Sequence, residues 1–190
     1  TVASLGDRDH RWIFIDGGAA TRMWGGTSHE FDWNTIRRIP EIRVASLAYT
    51  INGKGPALII GPGGGTDVMS ALSLGVPRVV GVELNPIIVN DVMKGEYAAW
   101  SNRLYFDDRV RIVVDEGRSW VRRSDEEYSS IQATLVDTWA ASAAGAFTLS
   151  ENNLYTVEAF EDFLDHLAPD GLLTMTRWYD AGQPREMLRL

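Results

Sequence analysis

A glycine cluster and a few acids carry the chemistry this chain can be seen to do. Gly61-Pro62-Gly63-Gly64-Gly65-Thr66-Asp67 follows an apolar run at 57–60. Gly61, Gly63 and Gly65 let the backbone turn sharply and leave no Cβ in the way of a ligand. Glu83, about twenty residues on, ends a second apolar run, where a carboxylate can accept both hydroxyls of a ribose. Asp115-Glu116-Gly117-Arg118 and Asp137 close two more apolar runs. An acid after the third run, Glu116 in preference to Asp115, can accept from an adenine amino group. Asp137, after the fourth, lies where it could take a proton from an attacking amine.

The spacing narrows the ligand. A dinucleotide turn reads G-x-G-x-x-G, with its third glycine under the pyrophosphate. Here the third glycine comes one residue early, and Thr66 stands in its place. Asp67 then opens a helix; its charge favours the helix dipole and opposes a pyrophosphate docking on the same amides. A ribose with a cationic tail fits better, as in S-adenosylmethionine or decarboxylated S-adenosylmethionine. A nicotinamide oxidoreductase is disfavoured on the same grounds.

These residues need strands to present them. Strand runs are read at 57–61, 78–84, 109–115, 131–137 and 171–178, and helices at 66–75, 86–100, 117–124 and 156–167. Asn85 and Pro86 form a start signal for the second helix, and Thr156 caps the last. The strands are continuous apolar runs, as in a parallel sheet covered on both faces. The expected fold is therefore α/β, a Rossmann-like parallel sheet. Residues 11–24 read as two short strands about an Asp-Gly turn, and 33–50 permit helix interrupted at Pro40. Asn52-Gly53-Lys54-Gly55-Pro56 reads as a boundary between a β-rich N-terminal region, 1–52, and an adenosyl-cofactor-binding domain, 57–190. Five strand runs are fewer than a methyltransferase-type sheet carries, so the natural protein is expected to continue and to supply the closing strands. The stretch Ser142–Ser150 is a candidate lid.

The 190 residues are 45% hydrophobic with a net charge of -8, ordinary for one globular core and a small appendage. The balance does not suggest nucleic acid as a partner. No apolar run spans a membrane; a cytoplasmic location is expected. Without cysteine, thiol catalysis and Cys-based zinc are excluded. His10, His29 and His166 lack metal-ligand spacing, so no metal site is expected. Trp139 could stack on a substrate; Trp24, Trp100, Trp120 and Trp178 read as packing aromatics.

The glycine loop, Val82-Glu83-Leu84-Asn85-Pro86, Asp115-Glu116-Gly117-Arg118, Asp137 and Leu154-Tyr155-Thr156-Val157-Glu158-Ala159-Phe160 resemble the spermidine synthase (polyamine aminopropyltransferase) superfamily. The Asp16-Gly17-Gly18 hairpin resembles that family's small N-terminal β-domain. The resemblance implies a class I methyltransferase-like Rossmann fold and a decarboxylated S-adenosylmethionine cofactor. It also implies aminopropyl transfer to an amine, Glu83 on the ribose, Glu116 and Gly117 framing the adenine, and Asp137 at the catalytic position. A homodimer and a polyamine acceptor are implied in the same way.

The chain departs from that pattern at the reacting end. Gly64 stands where the family's loop carries an aspartate. Asp137 is followed by Thr138-Trp139-Ala140-Ala141 without the family's second acid and proline. The glutamine and tyrosine of the amine tunnel have no clear counterpart after Asp16. The reading is thus a spermidine synthase-like transferase moving an aminopropyl or methyl group. Its alternative is a catalytically inactive adenosyl-binding domain of a larger membrane-associated protein.

Overall fold

In the computed structural model, residues 4–5, 8–16, 19–25, 32–136 and 152–176 are described. Three antiparallel strands come first: β1 (Ser4–Leu5), β2 (Arg8–Asp16) and β3 (Ala19–Gly25). β2 and β3 pair from Asp9↔Gly25 to Asp16↔Ala19, so the two strands read around Asp16 are present and longer than read. Three short helices follow: α1 (Trp33–Ile36), α2 (Pro40–Ala45) and α3 (Leu47–Asn52). Pro40 begins α2, where its missing N–H costs nothing.

The second sheet has five parallel strands among the described residues: β4 (Ala57–Ile60), β5 (Val79–Glu83), β6 (Val110–Val114), β7 (Tyr128–Thr134) and β8 (Leu167–Thr176). Their order is β6-β5-β4-β7-β8, every neighbouring pair parallel. The order reverses between β4 and β7, the switch point beyond whose strand ends ligands bind in such sheets. β4 is buried along its whole length. Ile59 packs with Val68, Met69 and Met93 on one face, and Leu58 and Ile60 with Val82, Val121 and Phe163 on the other. This two-sided burial is why β4 and the fully buried β5 read as unbroken apolar runs.

Helices α4 (Thr66–Ser73), α5 (Gly117–Arg123) and α6 (Val157–Asp165) cover the sheet. The helix read at 86–100 differs. It is π-wound over Ile87–Glu96, and Gly95 leaves helical geometry at ψ -115. The chain then turns to a 3-10 segment, Leu104–Phe106. The start signal is as read: the Asn85 side chain accepts the Ile87 amide at 3.0 Å. β7 starts and ends three residues earlier than read. β8 starts at Leu167, with a register shift between its pairings Tyr128↔Leu167 and Ser130↔Leu172. Among the described residues, no helix is long and apolar enough to cross a membrane.

The two sheets meet at the glycine loop. Met23 of β3 bridges Gly65 in antiparallel fashion. The Trp24 indole N–H donates to the Thr66 hydroxyl at 3.1 Å, and the Gly64 amide to the Thr21 hydroxyl at 3.0 Å. The hairpin thus sits on the turn between β4 and α4.

Candidate active site

The loop after β4 turns on three left-handed glycines, Gly61, Gly63 and Gly65, with φ of 67°, 52° and 91°. Other residues rarely adopt these angles, which accounts for the glycines in the sequence. Their missing side chains do not all leave room for a ligand, however. A Cβ on Gly63 would lie 2.6 Å from the Thr21 hydroxyl, and one on Gly61 2.7 Å from Val136. A Cβ on Gly65 would strike Leu104. The space is occupied by protein that packs against the turn.

Gly64 completes the set for a different reason. Its Cβ would collide with the backbone carbonyl of Arg22 and lie 2.8 Å from the Met23 nitrogen. Neither obstacle is the end of a flexible side chain. The acid of the resembled loop therefore has no room at this position, because the hairpin backbone lies there.

The loop amides are also committed. Gly63 donates to Glu83, Gly64 to Thr21, and Gly65 to the Pro62 carbonyl at 2.8 Å. A pyrophosphate needs such amides free. This is the stronger physical argument against a dinucleotide, and it corrects the one drawn from Asp67. That side chain is 5% exposed, and burial pushes its pKa up to about 7 against an opposing hydrogen bond from Thr134. At neutral pH it carries only part of a charge, so its repulsion of a phosphate is weaker than the sequence suggests.

Glu83 ends β5 beside this turn, 7% exposed. Oε2 accepts the Gly63 amide and Oε1 the Asn85 amide, each at 3.0 Å. Burial raises its pKa, while the amides of Asn85 and Gly63 pull the other way. A carboxylate offers about four acceptor positions. With one amide on each oxygen, each retains capacity for a further donor, which suits two adjacent hydroxyls.

Glu116 is placed differently. It is the N-cap of α5, and its carboxylate accepts the amides of Arg118 at 3.0 Å and Ser119 at 2.8 Å. Asp115 accepts the Glu116 amide at 2.8 Å and pairs with Arg123. Gly117 is buried against Ile60, with 2.6 Å from a built Cβ to that side chain. Arg118 bonds to Asp162 of α6 at 2.6 Å and reaches the Thr156 hydroxyl at 3.4 Å, which ties together two of the motif stretches read in the sequence. Asp137 follows Val136 beyond the end of β7 and lies outside the described residues, as do Trp139, Trp178, His29 and the stretch Ser142–Ser150.

Two residues at the loop were not read from the sequence. Thr21 holds the Gly64 amide, and Tyr105 donates to the Gly63 carbonyl at 2.6 Å. Both come from distant segments without a motif. His10 is buried against Trp12 and Trp24, and His166 lies between the carbonyls of Asp162 and Ser124. Among the described residues, no cluster of metal-ligating side chains exists.

The strand order and the position of Glu83 define a Rossmann protein of the methyltransferase type. No family model matches the chain. Over 115 residues it is 26% identical to a polyamine aminopropyltransferase of Sulfolobus acidocaldarius, covering 60% of this chain and 35% of that one. Over 138 residues it is 25% identical to a polyamine aminopropyltransferase of Thermoplasma volcanium, covering 73% and 46%. The chain spans less than half the length of either relative. Among solved structures, the spermidine synthase of Thermotoga maritima superposes with a TM-score of 0.54 at 16% identity, over 92% of this chain and 55% of that one. A spermidine synthase in complex with the transition state analogue AdoDATO gives 0.55 at 18% identity, over 92% and 56%. The chain is thus similar in sequence to polyamine aminopropyltransferases and in fold to spermidine synthases, a likeness that the residues from Gly61 to Phe160 also carry.

Proposed function

We propose that this chain binds S-adenosylmethionine or its decarboxylated form and belongs to a transferase that moves an aminopropyl or methyl group to a small amine, of the polyamine kind. The observation that carries the reading is the Glu83 carboxylate, buried at the end of β5, with one amide on each oxygen and further acceptor capacity on both. The ribose diol donates to those oxygens. Glu116 and Gly117 at the end of β6 would frame the adenine through their backbone, since the Glu116 side chain is occupied with its own helix. Gly61, Gly63 and Gly65 shape the turn that lets the cofactor lie close to the strand ends.

Bound there, the cofactor would supply an electrophilic carbon next to a sulfonium, and an amine held in line with the carbon–sulfur bond would displace the sulfur from it. Sulfur leaves as a neutral thioether, so no acid is needed there. The amine loses one proton, which Asp137 takes. The remaining work is orientation and exclusion of water. The named relatives are aminopropyltransferases, which favours transfer over a domain that only binds. Pairing of two copies is part of the same reading.

Thermal melts with S-adenosylmethionine, its decarboxylated form, 5′-methylthioadenosine and NAD test this directly. A ligand at about a hundred times its dissociation constant adds about 2.7 kcal/mol, a rise on the order of 5–10 °C for a domain of this size. The adenosyl sulfur ligands are expected to raise the melting temperature and NAD to leave it unchanged. A response to NAD alone would end the proposal. Product analysis with putrescine then separates aminopropyl from methyl transfer.

A further inference from the structure

Tyr105 lies in the 3-10 turn that leads into β6 and reaches beneath the glycine loop. It is 2% exposed, and its hydroxyl donates to the Gly63 carbonyl at 2.6 Å. The amide of the same glycine donates to Glu83 at 3.0 Å. Both polar backbone groups of Gly63 are therefore held, one by Tyr105 and the other by the acid at the end of β5. Leu104, next to Tyr105, fills the space beside Gly65, so the same turn supports the loop at a second point. Burial, followed by the charges of Glu83 and Asp67, raises the Tyr105 pKa well above its usual value. The phenol stays protonated and remains a donor.

We propose that Tyr105 is a positioning residue that orients Glu83 for a cis-diol and so sets a preference of the site for ribosyl over deoxyribosyl ligands. The proposal rests on the adenosyl reading given above. Without the hydroxyl, the carbonyl end of the Gly63–Gly64 peptide lacks its partner, and Gly63, a glycine in the left-handed region, can turn about its Cα. The Gly63 amide, in the preceding peptide unit, fixes one oxygen of Glu83 and shifts as that Cα turns. Two hydroxyls would meet a carboxylate that must first be ordered, and that ordering cost reduces affinity. A ligand with a single hydroxyl depends less on the alignment of both oxygens.

The test is calorimetric titration of the parent chain and Tyr105→Phe with 5′-methylthioadenosine and its 2′-deoxy analogue. The parent is expected to prefer the ribosyl form at least about tenfold. Tyr105→Phe should weaken the ribosyl ligand about tenfold, the scale of one lost hydrogen bond, and change the deoxy ligand less than about twofold. The proposal is overturned if Tyr105→Phe leaves the ratio intact, whether or not both affinities fall. A parent that binds neither ligand removes the adenosyl reading itself, and this proposal with it. Should Tyr105→Phe fail to fold, the buried Tyr105 hydroxyl proton can be followed by NMR in the parent. The ribosyl ligand should shift it more than the deoxy ligand, and equal shifts would overturn the assignment.

Discussion

Glu83 and Glu116 both follow or end a strand of one sheet, and both accept two backbone amides. Their donors differ. Glu83 takes one amide from the loop after the neighbouring strand and one from Asn85, beyond its own strand. Glu116 takes both from the first turn of the helix it caps. The first arrangement ties two strand ends together around a buried carboxylate. The second opens a helix. From sequence the two acids look alike, since each follows an apolar run and precedes a helix. The donors distinguish a carboxylate that ties two strand ends together from one that caps a helix.

Substitutions can break or sharpen that contrast. The largest effect is expected at Gly64, the residue between the Glu83 turn and the hairpin. Gly64→Asp would place a side chain on the Arg22 carbonyl and a charge in a buried seam. A loss of about 3 kcal/mol or more is expected, measured by urea unfolding. A variant as stable as the parent would show that the hairpin yields easily.

Glu83→Ala removes the acceptor of two amides and should cost about 2–4 kcal/mol, with at least about tenfold weaker binding of 5′-methylthioadenosine. Equal affinity in parent and variant would show that the acid does not hold the ribose. Asp67 gives a pH-dependent effect. Its pKa moves from 3.8 to about 7 on folding, so the folded chain holds this proton more tightly. The stability it contributes is complete below about pH 4, declines as pH rises, and levels off once the folded form ionises near 7. The slope is up to about 1.4 kcal/mol per pH unit, and Glu83 acts in the same direction. Asp67→Asn should therefore be about 2 kcal/mol or more stabilising at pH 8 relative to the parent, with little gain at pH 4. A pH-independent difference would argue against the buried acid. The smallest effect belongs to the cap: Glu116→Ala should cost about 1 kcal/mol and leave affinity within about twofold. A loss matching that of Glu83→Ala would return the side chain to the adenine.

β4 and β5 were legible because they are buried on both faces, and apolar runs mark that directly, while β6 and β8 are only partly buried. β7 was harder. Ser130 and Gln132 are buried on one of its faces, so the apolar signal starts late. Gly95 ended a helix that composition alone extended to residue 100, since a single glycine does not announce a backbone reversal. The two-residue β1 is too short to read. At the site, Gly61, Gly63, Gly65 and Glu83 were visible because local spacing places them together. Thr21 and Tyr105 were not, as each reaches the loop from about forty residues away in sequence. The reason position 64 lacks an acid was hidden for the same reason, since the obstacle is the backbone of another segment.

The bridge between Met23 and Gly65 has a consequence for how the polypeptide comes apart. It couples an antiparallel ribbon to the first crossover of a parallel sheet, and the neighbouring side-chain bonds extend that contact. Ribbon and sheet should therefore melt in one cooperative event, with the fluorescence of Trp24 and the far-ultraviolet signal changing together. A polypeptide begun at residue 54 would lack the cover over its first turn, and is expected to be a dye-binding compact state rather than a smaller native protein.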